Sequence, residues 1–275
     1  MTRRQSICFF YLLYLGLFSC SASAQEYTGI ETQINIGIGY EFLDYEEKLP
    51  ENYLASDVDV SNVILRVEGL KRWQNLFAGI QGVAPVARDN SRETWLANNS
   101  LDQSDSLKYG LYRLSAFTGY AFSPFFNPVI GLRSTWSEQR RSDFRDKTGV
   151  PLYSAEITEE VMAHYISLGF RGVLRLSGNW EASYGAEYNL PLYSKVENTG
   201  LPGWEAKNLD GYLWNVSGAL TYALRTNMSL GLNFCFGRLY WEGSGWQIYG
   251  NGQVKWPENQ TDFFSSLLTM KLIFQ

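Results

Sequence analysis

The chain has 275 residues, 16% of them aromatic and 19% charged, with 25 Gly and a formal charge of −5. A hydrophobic content of 45% argues against general disorder, and no Lys/Arg run exceeds Arg3-Arg4, Lys71-Arg72 or Arg140-Arg141, so no nucleic-acid surface is expected. His164 is the sole histidine, which excludes any site drawing two imidazoles from one chain.

At the N-terminus, Arg3 and Arg4 precede an apolar run from Ile7 to Phe18 that is too short to cross a bilayer as a helix. Ala22-Ser23-Ala24 then supplies the small-x-small pattern of signal peptidase cleavage. The expected division is a signal peptide over 1–24 and one exported domain over 25–275. Leu17-Phe18-Ser19-Cys20 also has the outline of a lipobox, so lipidation of Cys20 stands as the alternative to cleavage after Ala24. Losing Arg3 and Arg4 with the leader takes the formal charge from −5 to −7. Cys8 and Cys20 fall in the leader, which leaves Cys235 without an intramolecular partner. No Cys-x-x-Cys framework occurs either, and neither a metal nor a cofactor is expected.

Beyond the leader nothing approaches the roughly 20 consecutive apolar residues of a membrane helix. What recurs is alternation with a period of two, which predicts strands. Ten segments carry it, near 30–43, 58–70, 76–86, 107–122, 129–140, 160–174, 180–194, 212–223, 228–241 and 262–274. In the first, Ile34, Ile36, Ile38, Tyr40 and Phe42 interleave with Asn35, Gly37, Gly39 and Glu41. The second drifts in phase, with Val58 and Val60 on one parity and Val63, Leu65 and Val67 on the other, which predicts a bulge near Ser61-Asn62. In the seventh, Trp180, Ala182, Tyr184, Ala186, Tyr188 and Leu190 alternate with polar or small residues. The ninth and tenth do the same through Leu230, Leu232, Phe234 and Phe236, and through Leu268, Met270, Leu272 and Phe274.

Short connections (71–75, 123–128, 175–179, 224–227) take turns with long polar ones (44–57, 87–106, 141–159, 195–211, 242–261). Strict alternation puts every long connection at one end of an up-and-down meander and both termini at the other. This organisation, with an even strand number, resembles the general class of ten-stranded bacterial outer-membrane β-barrel proteins. The implied fold is an all-β, antiparallel transmembrane barrel with short periplasmic turns and long external loops.

A water-soluble barrel would turn its apolar face inward. Here aromatics gather near strand ends: Tyr40, Phe42, Trp136, Tyr188, Tyr212 and Tyr240 toward the long loops, and Tyr120, Phe122, Trp180, Tyr222 and Phe274 toward the short turns. Two such belts fit the two interfaces of a membrane, and the opposite face of Gly, Ser, Thr and Asn suits a narrow hydrated lumen. The expected location is the outer membrane of a Gram-negative cell. The expected partners are its lipid and lipopolysaccharide, and the assembly machinery during insertion.

The inward parity carries Glu41, Arg66, Glu68, Arg113, Arg133, Arg171, Glu181, Glu187 and Lys271. They read either as a salt-bridged plug or as a selectivity lining, and the small girth of ten strands favours the plug. Trp95, Trp204, Trp246, Tyr249 and Trp256 lie in the long connections, where they would either form a recognition surface or fold back onto the rim.

Enzymatic readings rest on thin patterns. Asp57 and Asp59 resemble the paired carboxylates of the omptin outer-membrane proteases, also ten-stranded, but the Asp-x-His half is missing because Met162 precedes His164 at that spacing. Lipid A deacylases carry His-x-Ser on the barrel exterior. Here the run reads His164-Tyr165-Ile166 with Ser167 on the opposite face, whereas a nucleophile and its base must share one. No catalytic residue is therefore assigned. The sequence predicts a structural or surface-interaction barrel working through its external loops. A narrow channel for small solutes is the alternative, and a protease or lipid-modifying hydrolase comes last.

Overall fold

The computed structural model describes residues 30–49, 54–98 and 100–274. The expected leader 1–24, its lipidation site Cys20 and the final Gln275 lie outside them.

Alternation becomes strand at every segment where it occurs. In chain order the elements are β1 (Ile30–Leu49), β2 (Leu54–Trp73), β3 (Leu76–Arg88), β4 (Ser91–Ala97), β5 (Ser100–Tyr120), β6 (Asn127–Asp146), β7 (Pro151–Tyr153) and β8 (Ile157–Arg175). There follow β9 (Trp180–Asn198), β10 (Glu205–Lys207), β11 (Gly211–Arg225), β12 (Met228–Trp241), β13 (Gln247–Tyr249), β14 (Gly252–Val254) and β15 (Glu258–Phe274). The ring runs β1-β2-β3-β5-β6-β8-β9-β11-β12-β15, antiparallel throughout, and closes by pairing β15 with β1 from Thr32↔Phe274 to Lys48↔Glu258. Closure gives each of the ten ring strands a partner on both sides, which hydrocarbon demands because water is absent to satisfy free N–H and C=O groups. At the seam Gly39 permits close approach: a Cβ there would sit 1.9 Å from the Ser266 carbonyl oxygen.

The long connections are themselves largely strand. β1 and β2 run on to Leu49 and from Leu54, and β4 continues the line of β3 between β2 and β5. At ~3.3 Å per residue and a tilt of about 40°, the 20 residues of β1 rise roughly 50 Å, about twice the apolar height of a membrane barrel. The wall therefore stands well clear of the belt on the long-connection side.

Side-chain polarity inverts where the wall leaves the belt. Within it, Ile36, Ile38, Tyr40 and Phe42 face outward and are exposed, while Glu41 faces in and is buried. Past Phe42 the outward positions are Asp44, Glu46 and Lys48, and the inward ones are the buried Leu43, Tyr45 and Glu47. The same inversion corrects the bulge expected near Ser61-Asn62. β2 stays in continuous register with β1, so Val58 and Val60 point inward and Leu65 and Val67 outward on one unbroken strand. The irregularity at this level belongs to β3, where Val86 is the extra residue between Ala87↔Val63 and Pro85↔Ile64.

Aromatic rows mark the belt's limits. Tyr188, Tyr212 and Tyr240 stack across β9, β11 and β12 with centroids 6.1 and 5.2 Å apart, and Tyr112 stacks on Trp136 at 5.3 Å. At the short-turn side Trp180 and Tyr222 meet at 4.9 Å, and Phe126 and Phe170 at 5.5 Å. Exposed leucines, isoleucines and phenylalanines all round the wall form the kind of apolar band that a membrane barrel turns to hydrocarbon.

Candidate functional site: the barrel lumen

Inward parity converges the nine alternating charges on one axis, since successive residues of a strand point to opposite faces. Nearest the short turns, Lys271 Nζ lies 2.8 Å from Glu181 Oε1. Above it, Glu68 accepts from Arg66 (2.7 Å), Gln81 (3.1 Å) and Arg171 (3.3 Å). Arg171 also approaches Glu187 at 3.6 Å and lies 3.8 Å over the ring of Phe117. Glu187 in turn accepts from Arg133, which donates to Asn215 at 2.6 Å and to Ser115 at 2.9 Å. Higher still Arg113 bonds Glu41 and packs 4.6 Å over Phe263. Every one of the nine has an opposite charge as partner, with Glu68 and Glu187 each shared by two arginines.

Above this ladder the lumen is filled mainly by apolar and aromatic side chains, with Asn62, Thr135 and Thr261 buried against them. Leu43, Tyr109, Leu111, Tyr165, Leu213 and Leu239, from five different strands, are among the residues of one buried cluster. Tyr45 meets Tyr109 edge-on at 5.2 Å, and Tyr165 tilts against Trp241 at 5.9 Å. The phenols are not stranded: Tyr109 Oη is 2.9 Å from Thr261 Oγ1. Such a layer excludes water, since side chains pack to the density of an organic crystal.

A second polar tier closes the top. Arg141 donates to Glu93 at 2.7 and 3.2 Å and to Glu47 at 2.9 Å, with its guanidinium 5.4 Å from the centre of the Trp95 ring. Tyr45 donates to Glu47, and Trp95 Nε1 donates to Asp105 at 2.8 Å. Burial pushes the Glu47 carboxyl up to about 7, with Glu159 and Glu93 adding to the rise against the pull of Arg141. Burial, helped by Glu93, also raises Asp105 to about 7. The alternation argument missed this tier because its members lie in segments that read as polar connections.

The five loop aromatics separate. Trp204 and Trp256 are buried in the apolar cluster, Trp256 Nε1 donating to Glu159 at 2.9 Å. Trp95 is held in the top tier, and Tyr249 donates to the Pro202 carbonyl at 3.0 Å. Trp246 alone of the five is exposed, beside the exposed Ile248. Asp57 and Asp59 face outward on β2, opposite Glu46 and Asp44 of β1, rather than toward the lumen. His164 faces outward on β8. Among the described residues no group of three or more His, Cys, Asp or Glu side chains is placed to hold a metal.

No family model matches the chain, and no curated protein matches it in sequence. Among solved structures it is similar to the outer membrane protease OmpT from Escherichia coli, with a TM-score of 0.69 at 10% identity over 93% of this chain and 100% of that one. The translocator domain of the autotransporter NalP from Neisseria meningitidis gives a TM-score of 0.40 at 12% identity, covering 98% and 95% of the two chains. OprG from Pseudomonas aeruginosa gives 0.38 at 12%, covering 92% and 100%. At these identities the likeness is one of fold: the chain is a β-barrel of the bacterial outer-membrane class, closed by a ring of ten strands.

Proposed function

We propose that this protein is an integral outer-membrane barrel with a closed lumen, working through the surfaces outside that lumen. The observation that carries the reading is the stack along the axis: paired charges, then an apolar layer, then a second set of paired charges. Opening it for a solute requires separating several buried ion pairs, each of which costs about 3–5 kcal/mol when one partner is lost. Outer-membrane lipid, lipopolysaccharide and the assembly machinery are its proposed partners, and 1–24 its proposed export signal. The competing reading, a narrow channel, needs the apolar layer to hydrate. Proteoliposomes holding the folded barrel should release a trapped small sugar no faster than empty vesicles. Release that scales with the amount of inserted barrel would overturn the reading.

A further inference from the structure

On the barrel exterior, residues far apart in sequence make a pair that alternation alone does not reveal. Ser134 on β6 and His164 on β8 oppose each other in register, and Ser134 Oγ lies 2.8 Å from His164 Nδ1. Both side chains face outward, and the imidazole is exposed on its strand while stacking against Tyr193 at 5.9 Å. An ionisable group set in an apolar belt is costly to place there unless it is used.

The pair lines a groove of about 700 Å³ running across the outer wall. Its lining runs from Leu65 and Val67 on β2 across Gly82 and Ala84 on β3 and Tyr112 and Leu114 on β5 to the pair and Met162. The hollow exists because β3 presents its smallest residues there: a Cβ on Gly82 would meet nothing within 4 Å. Depth is set by register. Trp136, Met162 and Lys195 lie one outward step above the pair, and Glu160 with Glu197 one step further, so charge begins within roughly 7 Å of strand at ~3.3 Å per residue. That is the level at which the ester carbonyls of an outer-leaflet lipid meet its acyl chains.

We infer that Ser134 and His164 are a nucleophile and its general base, acting on an O-acyl ester of an outer-leaflet lipid whose chain lies in the groove. With Nδ1 unprotonated, the Ser134 hydroxyl donates to it, the arrangement that activates a serine. As Oγ bonds the ester carbonyl carbon, its proton passes to His164. The carbon–alkoxide bond then breaks and the leaving oxygen takes that proton. A water molecule, deprotonated by His164, attacks the acyl-serine, releasing a fatty acid and restoring the Ser134 hydroxyl. The site is separate from the lumen, so conduction and hydrolysis are independent results.

The test uses the membrane-inserted full chain, with heat-modifiable migration confirming the fold of each variant. A hexadecyl fluorophosphonate should modify Ser134, located by peptide mass. S134A should abolish the adduct, and H164N should slow it by about 100-fold or more, the usual cost of losing a general base. G82L, which fills the groove, should slow the hexadecyl probe and spare an ethyl one. Mixed micelles of phospholipid and of lipopolysaccharide, assayed in parallel for released fatty acid, identify which lipid supplies the ester. Release from either that disappears in S134A supports the assignment. It is overturned by a folded wild-type barrel left unmodified at Ser134, by release that survives S134A, or by release from neither lipid.

Discussion

Replacing Arg141 by methionine perturbs the upper polar tier at its centre. The guanidinium makes three hydrogen bonds to Glu93 and Glu47, both essentially sealed from solvent at 0% and 3% exposure. Removing one partner of a buried ion pair costs about 3–5 kcal/mol because the other charge stays buried, and loss of the contact with Trp95 adds ~1 kcal/mol. The wall above the belt should then open locally far more often, by roughly three to four orders of magnitude at ~1.4 kcal/mol per tenfold. Limited proteolysis of the refolded barrel reads this directly, since cleavage follows the population of the open form when reclosing is fast. At pH 8.5 R141M should be nicked above the belt at least a hundredfold faster than the parent. Adding E47Q and E93Q to R141M should restore most of the resistance, since no stranded charge then remains. A rate for R141M within tenfold of the parent at pH 8.5 would refute the claim that this tier is held by a buried ion pair.

Further outcomes follow from the same geometry. Glu47 and Asp105 are carboxyls raised to about 7 in the folded state, so folding favours their protonated forms. The stability they contribute is complete below about pH 4.5 and lost as pH climbs through 7. The upper wall should therefore resist protease better at pH 6 than at pH 8.5, E47Q should reduce that difference, and E47Q with D105N should flatten it. At the closing seam, G39L forces a side chain onto the backbone of Ser266 and should prevent the heat-modifiable form from accumulating on refolding. W256F removes the donor to the buried Glu159 and should cost about 1–3 kcal/mol, measured as faster nicking of the wall it supports.

The belt-level barrel is readable from alternation because there a single rule holds: apolar out, polar or small in. Ile34 to Phe42 and Leu230 to Phe236 obey it without interruption, and the parity of Glu41, Arg113 and Arg133 follows. Above the belt water replaces lipid, the rule reverses, and the same strands read as polar connections with a fault at Ser61-Asn62. Val58 and Val60 are not out of phase; their surroundings have changed. Trp204 and Trp256 share this cause, since an apolar residue amid polar ones gives no sign that its neighbours face water and it does not. Pairing across strands is a different matter. Ser134 and His164 meet because β6 and β8 pair in one particular register, and a search along β8 alone finds only Ser167 on the wrong face. Arg141 with Glu93 and Glu47 is likewise a product of register and closure, not of spacing.

Single-channel recording in a planar bilayer tests the closed lumen most directly. The parent barrel should insert and stay silent, while a variant with the apolar layer cut away (L43A, Y109A and Y165A together) should show discrete steps and serve as the positive control. Steps of comparable size from the folded parent would contradict the account and make the Arg/Glu ladder a conduction path.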